Sequence, residues 1–487
     1  MPEAPAYAAI DLGATSGRVV TGRLEGGRVA LREVHRFPNR PVRLPDGLRW
    51  NLLHLFTEAL AGLRRAGPLA GVGVDTWAVD YVLLDGHGRV LGLPFHYRDE
   101  RTAGMPERAF GRVSQAELYA TTGIQTLPIN TVFQLLADEG SAALAVAERL
   151  ALIPDLLAHW LCGELANEAT NASTTGLLDA RSGDWARSVI AGLGLPDRIF
   201  GELVQPGTRL GLLLDRHALG QAPVYAVASH DTASAFAAAP VRDEHDAILS
   251  SGTWSLVGVE LPEPILTDAA REANLTNERG VDGTTRLLGN VMGLWLLEEC
   301  RRQWGEVSYE ELHRLAESVE APVPLFDPDD EAFLAPGDMP ARITAACMRT
   351  GQAAPRDVAT TVRSILVSLA CKYRWVIEHL EAVSGREVQR IHVVGGGARN
   401  ALLCRLTADV CGREVVAGPA EATALGNVLM QARAAGELGS LAELRAVAGA
   451  SVEATVYEPA PDVDDTYGRF LDLTGRPDPL VTLKETP

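Results

Sequence analysis

The chain is almost without lysine. Of its 44 Lys and Arg residues, only Lys372 and Lys484 are lysines. The P-loop pattern that ends in GK[ST] is absent, and the strand lysine of protein kinases has no counterpart. A Schiff base with pyridoxal phosphate could form only at Lys372. Any phosphate site in this chain must therefore be built from groups other than lysine.

Other absences exclude further classes of protein. Every apolar run meets a charge well before the roughly 18 residues that a membrane helix needs, and the N-terminus reaches Asp11 without the basic region of a signal peptide. The six cysteines form no CxxC pair, which predicts reduced, mostly buried thiols. The net charge of −19 comes without a basic stripe, so nucleic acid is not an expected partner. We expect a cytoplasmic protein with no membrane partner.

What is present is an ordinary globular composition of 487 residues, 47% of them hydrophobic. At about 150 residues per domain this length predicts roughly two to four domains. A charged, proline-marked stretch near residue 240 precedes a new strand. We place a boundary there and expect an N-terminal domain over 1–244 and a C-terminal domain over 245–487. Similar Gly/Ser turns between strands in both halves suggest a duplicated architecture, although chance hairpins would explain them equally well.

Hydrophobic periodicity predicts alternating strands and helices, the mark of the α/β class. The first strands should form an antiparallel meander. A buried strand pair is expected over 72–85, and helices are expected over 52–65 behind an Asn51 cap, from Asp357 to Gly385, and from near Ala398 to Gly412.

The sharpest local feature is Asp11, which ends a strand and is followed by the small residues of 13–17. Their backbone amides and the hydroxyls of Thr15 and Ser16 can donate to phosphate oxygens. The Asp11 carboxylate could hold a magnesium ion, because hard cations prefer such oxygens. A plain hairpin turn with a solvated aspartate is the alternative, since short glycine motifs recur by chance.

A second feature is the run His230, Asp231 and Thr232 between an apolar stretch and small helical residues. An acid, an imidazole and a hydroxyl at a helix start suit proton transfer. An aspartate with an ordinary pKa of about 4 is ionised at neutral pH and can accept a hydroxyl proton. A helix N-cap is an equally good explanation, whereas a His-Asp metal pair is less favoured because no other histidine completes the site.

Two further turns of small residues lie over 250–253 and 395–397. Triple glycine between a strand and a helix lets a flat or anionic group lie against the backbone. Three such turns and two aspartates in a two-domain acidic chain together favour a nucleotide-binding cleft.

Seven motifs, in order, resemble those of the FGGY family of carbohydrate kinases, over about residues 6–430. They are DLGATSGR (11–18), DTWAVD (75–80), YRDERT (97–102), SHDTASA (229–235), SSGTWSL (250–256), NVMGLWLL (290–297) and VGGGARN (394–400). The resemblance implies two actin-like ATPase (ribonuclease H-like) domains with a cleft between them. It also implies transfer of the ATP γ-phosphoryl group, with Mg²⁺, to the 1-hydroxyl of L-rhamnulose.

The resemblance further implies roles for individual residues. Asp231 would accept the proton of the sugar hydroxyl. The ATP side would comprise the first phosphate loop (Ala14, Thr15, Ser16, Gly17 and Arg18), Thr253 in a second loop, and Gly396 in a turn beside the adenosine. The sugar would meet His230, Asp231, Thr232 and Asn290. Two positions depart from the family pattern, since Ala78 replaces a glycine on the sugar side and Glu298 replaces a glutamine on the ATP side.

Alternatives to this substrate remain open at the level of sequence. Another sugar kinase of the same family, acting on L-fuculose, xylulose or gluconate, is the nearest. An actin-like or chaperone-like ATPase without a sugar substrate is more remote, and a purely structural protein is the least favoured. The expected partners are therefore a small ketose and ATP, and the expected assembly is a monomer or small homo-oligomer.

Overall fold

A computed structural model describes residues 5–305, 307–320, 322–460 and 465–476. Lys484 and the rest of the C-terminal tail lie outside the described residues. Contacts divide the chain into two compact units. Unit 1 comprises Met1–Pro240, Glu260–Leu287 and Ala422–Val452, and unit 2 comprises Val241–Val259, Leu288–Glu421 and Glu453–Pro487. The domain bounds 1–244 and 245–487 remain predictions from the sequence.

Strands and helices alternate along the chain, as the α/β prediction required. The strands are β1 (Ala6–Leu12), β2 (Ser16–Glu25), β3 (Arg28–Pro38), β4 (Val42–Leu44), β5 (Gly47–Arg49), β6 (Leu69–Thr76), β7 (Tyr81–Leu84), β8 (Arg149–Leu152), β9 (Asn167–Glu168), β10 (Leu203–Val204), β11 (Arg209–Leu212), β12 (Pro223–Tyr225), β13 (Asp246–Ser251), β14 (Ser255–Leu261), β15 (Thr276–Arg279), β16 (Thr285–Val291), β17 (Arg390–Val394), β18 (Glu414–Ala417) and β19 (Thr455–Tyr457).

The α-helices range from one turn to 27 residues. They are α1 (Leu52–Ala66), α2 (Met105–Phe110), α3 (Gln115–Thr122), α4 (Thr131–Ala137), α5 (Ala142–Val146), α6 (Ile153–Cys162), α7 (Ala169–Ala172), α8 (Arg187–Leu193), α9 (Asp231–Ala238), α10 (Asp268–Glu272), α11 (Trp295–Gln303), α12 (Tyr309–Glu317), α13 (Met339–Arg349), α14 (Val358–Ser384), α15 (Ala401–Cys411), α16 (Ala422–Ala434), α17 (Leu441–Ala450) and α18 (Thr466–Thr474).

The first large sheet has six strands in the order β11-β12-β6-β1-β2-β3. Strands β1, β2 and β3 form the predicted antiparallel meander, and β1 and β12 both run parallel to β6. Because parallel strands end at the same edge of a sheet, the loops after β1, β6 and β12 emerge together. That edge collects the first group of predicted site residues.

The second large sheet has seven strands in the order β15-β16-β14-β13-β17-β18-β19. Its central strand β13 pairs antiparallel with β14 and parallel with β17, and β17 continues parallel to β18. In the first sheet, β1 pairs antiparallel with β2 and parallel with β6 in the same way. The shared topology confirms the duplicated architecture that the similar turns suggested.

Capping residues set the ends of the helices that the sequence predicted. Asn51 accepts the N–H of His54 at the start of α1, and Gly385 ends α14 with a φ of +70°. Helix α15 begins at Ala401, behind a 3₁₀ turn over Gly396–Arg399, so its predicted start near Ala398 was three residues early. The two buried strands expected over 72–85 are present as β6 and β7, but they do not pair with each other. Strand β6 joins the first sheet, whereas β7 pairs with β8.

Helix α16 belongs to unit 1 although it begins more than 180 residues after the end of α9. It packs closely on α9, where a Cβ at Gly426 would collide with the carbonyl oxygen of Ser234. On the sheet side, the Gln431 amide donates to the carbonyl of Ala8 on β1 at 3.0 Å. The helix thereby buttresses the strands that carry the first group of site residues.

The six cysteines are free and buried, as expected. Among the described residues, no helix combines the length and apolarity that crossing a bilayer demands.

Candidate functional site

Three carboxylates of unit 1 converge at the ends of neighbouring strands. Asp11 on β1 stands opposite Asp75 on β6 in the parallel register. Thr76, which ends β6, forms a bridge with His230, and its N–H donates to the carbonyl of Ser229 at 2.9 Å. The fold therefore brings the first small-residue turn and the His230–Thr232 run, more than 200 residues apart in sequence, to one edge of a sheet.

Asp231 is the first residue of α9, and the N-cap position is occupied by His230, so the N-cap interpretation of Asp231 was wrong. Its Oδ1 accepts the N–H of Thr232 at 2.6 Å and the Thr232 hydroxyl at 3.2 Å. Among the described residues, no hydrogen bond reaches Oδ2, and the side chain is 29% exposed. One carboxylate oxygen is therefore fixed while the other is left for a proton donor.

Burial is the main reason why the pKa of Asp231 lies above its usual value; the charge of Asp11 adds to the shift, and His230 opposes it. A raised pKa makes the carboxylate a stronger proton acceptor than an ordinary aspartate. The surroundings of Asp231 thus favour a base at this position.

Asp11 is not the solvated aspartate of the alternative interpretation. Its Oδ2 accepts the Nε and a terminal N–H of Arg18, its cross-strand partner, at 2.8 and 2.7 Å. Within the described part of the chain, Oδ1 has no hydrogen-bond partner, so one hard oxygen is left for a cation. No group of three or more metal-ligating side chains occurs among the described residues. A magnesium ion at Asp11 would therefore complete its shell with phosphate and water oxygens, a common arrangement for this ion.

The turn between β1 and β2 is anchored by a residue that the sequence reasoning missed. Asn39 donates its backbone N–H to the carbonyl of Thr15 at 3.0 Å and its side-chain amide to the carbonyl of Gly13 at 2.9 Å. In the described structure, the N–H groups of Ala14 and Thr15 have no acceptor, and Ser16 is half-exposed. With its carbonyls engaged and its amides available, the turn is suited to an anion.

Gly17 has a different reason to be glycine. It lies on β2 against Phe37, and a Cβ there would overlap the Phe37 ring. Glycine is therefore required at this position for packing within the hairpin.

Asp75, in the DTWAVD motif, is fully buried. Its Oδ2 accepts the Asn427 side-chain amide at 2.5 Å, while Oδ1 has no partner among the described residues. Burial, with Asp11 next in importance, raises the pKa of Asp75 well above its usual value. The sequence signal for Asp75 was its place in the DTWAVD motif, but nothing local pointed to Asn427 on α16.

Ala78 lies in a rigid loop after β6. The next residue, Val79, has a φ of +65°, which is strained for a β-branched side chain, and its carbonyl accepts the Thr131 hydroxyl at 2.6 Å. Asp80 is buried and accepts the indole N–H groups of Trp50 and Trp77 at 2.5 and 2.9 Å. Ala78 is half-exposed, whereas its neighbours Trp77, Val79 and Asp80 are buried.

In unit 2, Thr253 lies in the turn between β13 and β14. The N–H of Gly252 donates to the carbonyl of Trp254 at 2.8 Å, and the carbonyl of Thr253 accepts the N–H of Trp295 at 3.1 Å. The turn is thus tied to the start of α11. Thr253 itself is half-exposed.

The three glycines over 395–397 have distinct roles. A Cβ at Gly397 would overlap the Ser251 hydroxyl, and one at Gly395, where φ is +79°, would lie 2.9 Å from the Ser251 carbonyl. A Cβ at Gly396 meets nothing within 4 Å. Gly395 and Gly397 are therefore needed for packing on β13, and Gly396 is the exposed glycine of the turn.

The two remaining predicted positions also lie in unit 2. Asn290 is half-exposed on β16. Glu298, in the first turn of α11, accepts Nε of Arg301 at 2.9 Å and the hydroxyl of Tyr309 at 2.5 Å. Burial alone would raise the pKa of Glu298, but the hydrogen bonds from Arg301 and Tyr309 hold it below its usual value.

Comparison with known protein families identifies the family of this chain. Residues 6–237 match the N-terminal domain, and residues 247–435 the C-terminal domain, of the FGGY family of carbohydrate kinases. The chain belongs to the FGGY family of carbohydrate kinases. FGGY kinases use ATP as the phosphoryl donor and typically require a magnesium ion.

Curated relatives are similar over nearly the whole FGGY chain. A rhamnulokinase from Bacteroides thetaiotaomicron is 43% identical over 463 residues, which cover 93% of this chain and 96% of that protein. A rhamnulokinase from Klebsiella pneumoniae strain 342 is 41% identical over 95% of this chain and 96% of its own length.

Solved structures confirm the two-domain FGGY kinase fold with actin-like ATPase architecture. A ligand-bound xylulose kinase from Lactobacillus acidophilus matches with a TM-score of 0.78 at 15% identity, covering 99% of each chain. The glycerol kinase of Plasmodium falciparum with ADP matches with a TM-score of 0.76 at 15% identity, covering 96% of each chain.

Proposed function

We propose that this FGGY kinase transfers the γ-phosphoryl group of ATP to the 1-hydroxyl of L-rhamnulose, giving L-rhamnulose 1-phosphate and ADP in the catabolism of L-rhamnose. The observation that carries the choice of sugar is the 40 to 43% identity to curated rhamnulokinases over at least 93% of the chain. The solved relatives at 15 to 21% identity support the fold and leave the sugar open.

Asp231 is the proposed proton acceptor. Three features support it: a fixed Oδ1, an Oδ2 that no described residue engages, and a pKa raised by burial. Phosphoryl transfer passes through a loose transition state, so the base mainly orients the hydroxyl and takes its proton late. The other proposed sugar contacts are His230, Thr232, Asn290 and the backbone region of Ala78.

The turn over residues 14–18 is the proposed first phosphate site. The N–H groups of Ala14 and Thr15 would donate to phosphate oxygens, and the Ser16 hydroxyl would add a third donor. Arg18 holds Asp11 in place through its two hydrogen bonds. Asp11 would hold Mg²⁺ through Oδ1, and the bound ion would neutralise charge on the transferring phosphoryl group.

The nucleotide-side residues proposed in unit 2 are Thr253, Glu298 and Gly396. Gly396 offers exposed backbone beside which a flat group can lie, since no atom lies within 4 Å of its Cβ position. The Glu298 carboxylate is already paired with Arg301 at 2.9 Å, so it brings little unbalanced charge to ATP. This pairing accounts for the tolerance of glutamate where the family pattern has glutamine.

We further propose that the enzyme works in the cytoplasm, where its substrate ATP is made and where the six free, buried cysteines would stay reduced. Its proposed partners are limited to the ketose and ATP.

The test is an ADP-release assay across L-rhamnulose, L-fuculose, D- and L-xylulose and gluconate, with a no-sugar control. We expect the highest kcat/KM with L-rhamnulose and a product phosphorylated at carbon 1, identified by NMR. A higher kcat/KM with another member of the panel would replace the sugar while keeping the reaction. ADP release that is independent of any sugar would instead favour an ATPase.

A further inference from the structure

His230 lies between the proposed base and a buried ion pair of unit 1. One side of its ring faces Asp231, with Nε2 at 3.4 Å from Oδ1. The other side faces Glu278 and Arg286, whose carboxylate oxygen Oε2 and terminal nitrogen each lie 3.3 Å from Nδ1. Both ring nitrogens are therefore within reach of protein groups.

Arg286 contacts the Nδ1 side of the His230 ring. Its guanidinium is fully buried, and a terminal N–H is directed at Nδ1 of His230. A guanidinium donates and does not accept, so a hydrogen bond from Arg286 requires Nδ1 to accept and Nε2 to carry the hydrogen, whereas the Glu278 carboxylate, equally close to Nδ1, would accept from an Nδ1–H. In the tautomer that Arg286 favours, the Nε2–H faces Oδ1 of Asp231 at 3.4 Å, the oxygen that Thr232 already engages.

Glu278 makes the burial of Arg286 tolerable. Its Oε2 lies 3.0 Å from the same terminal nitrogen, and both side chains are almost inaccessible. The Nε of Arg286 donates to the carbonyl of Arg279 at 3.0 Å, which fixes the plane of the guanidinium. A buried, paired and oriented arginine is a rigid support for a neighbouring ring.

The backbone of His230 is held as firmly as its ring. The preceding residue, Ser229, donates its N–H and its hydroxyl to Oε2 of Glu168 at 3.0 and 2.7 Å. The N–H of His230 faces the Thr170 hydroxyl at 3.4 Å. Neither the main chain nor the ring is free to turn away from Asp231.

We propose that Arg286 and Glu278 are positioning residues of the kinase reaction: they hold His230 as the Nε2–H tautomer, and His230 fixes Oδ1 of Asp231 so that Oδ2 meets the sugar hydroxyl. This inference rests on the proposed role of Asp231 as the base. It gives His230 a second task besides its proposed sugar contact. It also assigns a function to two residues that lie in none of the seven sequence motifs.

The tautomer is measured directly on the full-length protein with ¹⁵N-labelled histidine, without sugar or ATP. Long-range ¹H–¹⁵N correlation spectra at neutral pH should show the ring signals of His230, assigned by their loss in His230→Asn, with Nε2 protonated and Nδ1 unprotonated. A ring protonated at Nδ1, alone or together with Nε2, would overturn the proposal. Because no sugar is present, failure of L-rhamnulose as a substrate leaves this measurement unaffected.

Kinetics supply the second arm, with whichever ketose of the panel is turned over fastest. Glu278→Gln and Arg286→Met should each lower kcat by about tenfold or more, with KM for ATP within about threefold of the wild type. Arg286→Lys, which keeps a charged donor, should recover part of the loss. The matched control is Arg433→Met, which breaks an ion pair with Asp282 elsewhere in unit 1.

Unchanged kcat in Glu278→Gln and Arg286→Met contradicts the inference, as does an equal loss in Arg433→Met. If Arg286→Met does not fold, as judged by circular dichroism, the wild-type spectra and the Glu278→Gln kinetics decide. If Asp231→Asn keeps full activity, the proposed function has lost its base, and the spectra report only whether the tautomer is held.

Discussion

The two large sheets share a topology but differ in what they place at the ends of their central strands. In the first sheet, the second-to-last position of β1 holds Asp11 opposite Arg18, with Asp75 on the parallel neighbour. In the second sheet, the matching position holds Ser250, opposite Leu256 and beside Val394. One copy of the design is charged there, and the other has only a hydroxyl and apolar side chains.

Under the proposed function, the two copies of the fold divide the reaction between them. Acid–base and metal chemistry need carboxylates, and all three converging carboxylates lie in unit 1. Binding a flat, anionic nucleotide needs small residues and exposed backbone, which the turns at Thr253 and Gly396 supply in unit 2. Substitutions in the two units should therefore fail in different ways.

The largest expected effect is in the charged copy. Asp231→Asn keeps the shape of the side chain but removes the proton acceptor, so kcat should fall by about 10² to 10⁴-fold. ATP binding, measured by isothermal titration calorimetry, should stay within about threefold of the wild type, because the proposed nucleotide contacts lie elsewhere.

Asp85→Asn is a suitable control, since Asp85 is a half-exposed acid that caps a turn through the N–H groups of His87 and Arg89. Near-normal turnover by Asp231→Asn would contradict the assignment of Asp231 as the base. It would also contradict the proposed difference in role between the two copies.

An intermediate effect is expected in the uncharged copy, from two neighbouring glycines. Gly397→Ala forces a methyl group into the Ser251 hydroxyl and should lower the free energy of unfolding by about 1–3 kcal/mol. Gly396→Ala meets no atom within 4 Å and should leave the unfolding midpoint in urea unchanged. Its effect should be confined to a raised KM for ATP, because the methyl group would stand where the nucleotide is proposed to lie.

The two variants are controls for each other. Equal losses of stability would mean that Gly396 is also a packing residue. An unchanged KM for ATP in Gly396→Ala would place the nucleotide away from this turn.

Much of this contrast could be predicted from sequence, because the turns and the acids next to them are local features. The meander, the long helix behind Asp357 and the Gly385 stop follow from periodicity and caps. The order of the seven short motifs was enough to predict the family. Local sequence was also enough to place Asp231 at a helix start, although not to separate a base from an N-cap.

What could not be predicted are the partners that hold these features in place. Asn39 anchors the first turn from beyond β3, and Asn427 reaches Asp75 from a helix more than 350 residues away. Arg286 and Glu278 meet His230 only because β15 and β16 fold back to it. Each is an ordinary polar residue in its local sequence, and its role depends on a long-range contact.

The smallest expected effect concerns Glu298 in unit 2. It tests whether unit 2 tolerates this carboxylate because Arg301 neutralises it. Glu298→Gln restores the amide of the family pattern, yet Glu298 is already held by Arg301 at 2.9 Å and by Tyr309 at 2.5 Å. We therefore expect KM for ATP to change by less than about threefold, and stability by no more than about 1 kcal/mol. Steady-state kinetics with ATP as the varied substrate, beside urea unfolding, measure both quantities.

The matched change is Arg301→Gln, which removes the nearer of two neutralising cations and leaves the Glu298 carboxylate with Arg302 at 3.5 Å. If unit 2 must present no net negative charge to the nucleotide, Arg301→Gln should raise KM for ATP more than Glu298→Gln does, and the double variant should return toward the wild type. A tenfold lower KM for ATP in Glu298→Gln alone would mean that the Glu298 carboxylate repels the nucleotide in spite of Arg301. Unit 2 would then present a negative charge to ATP.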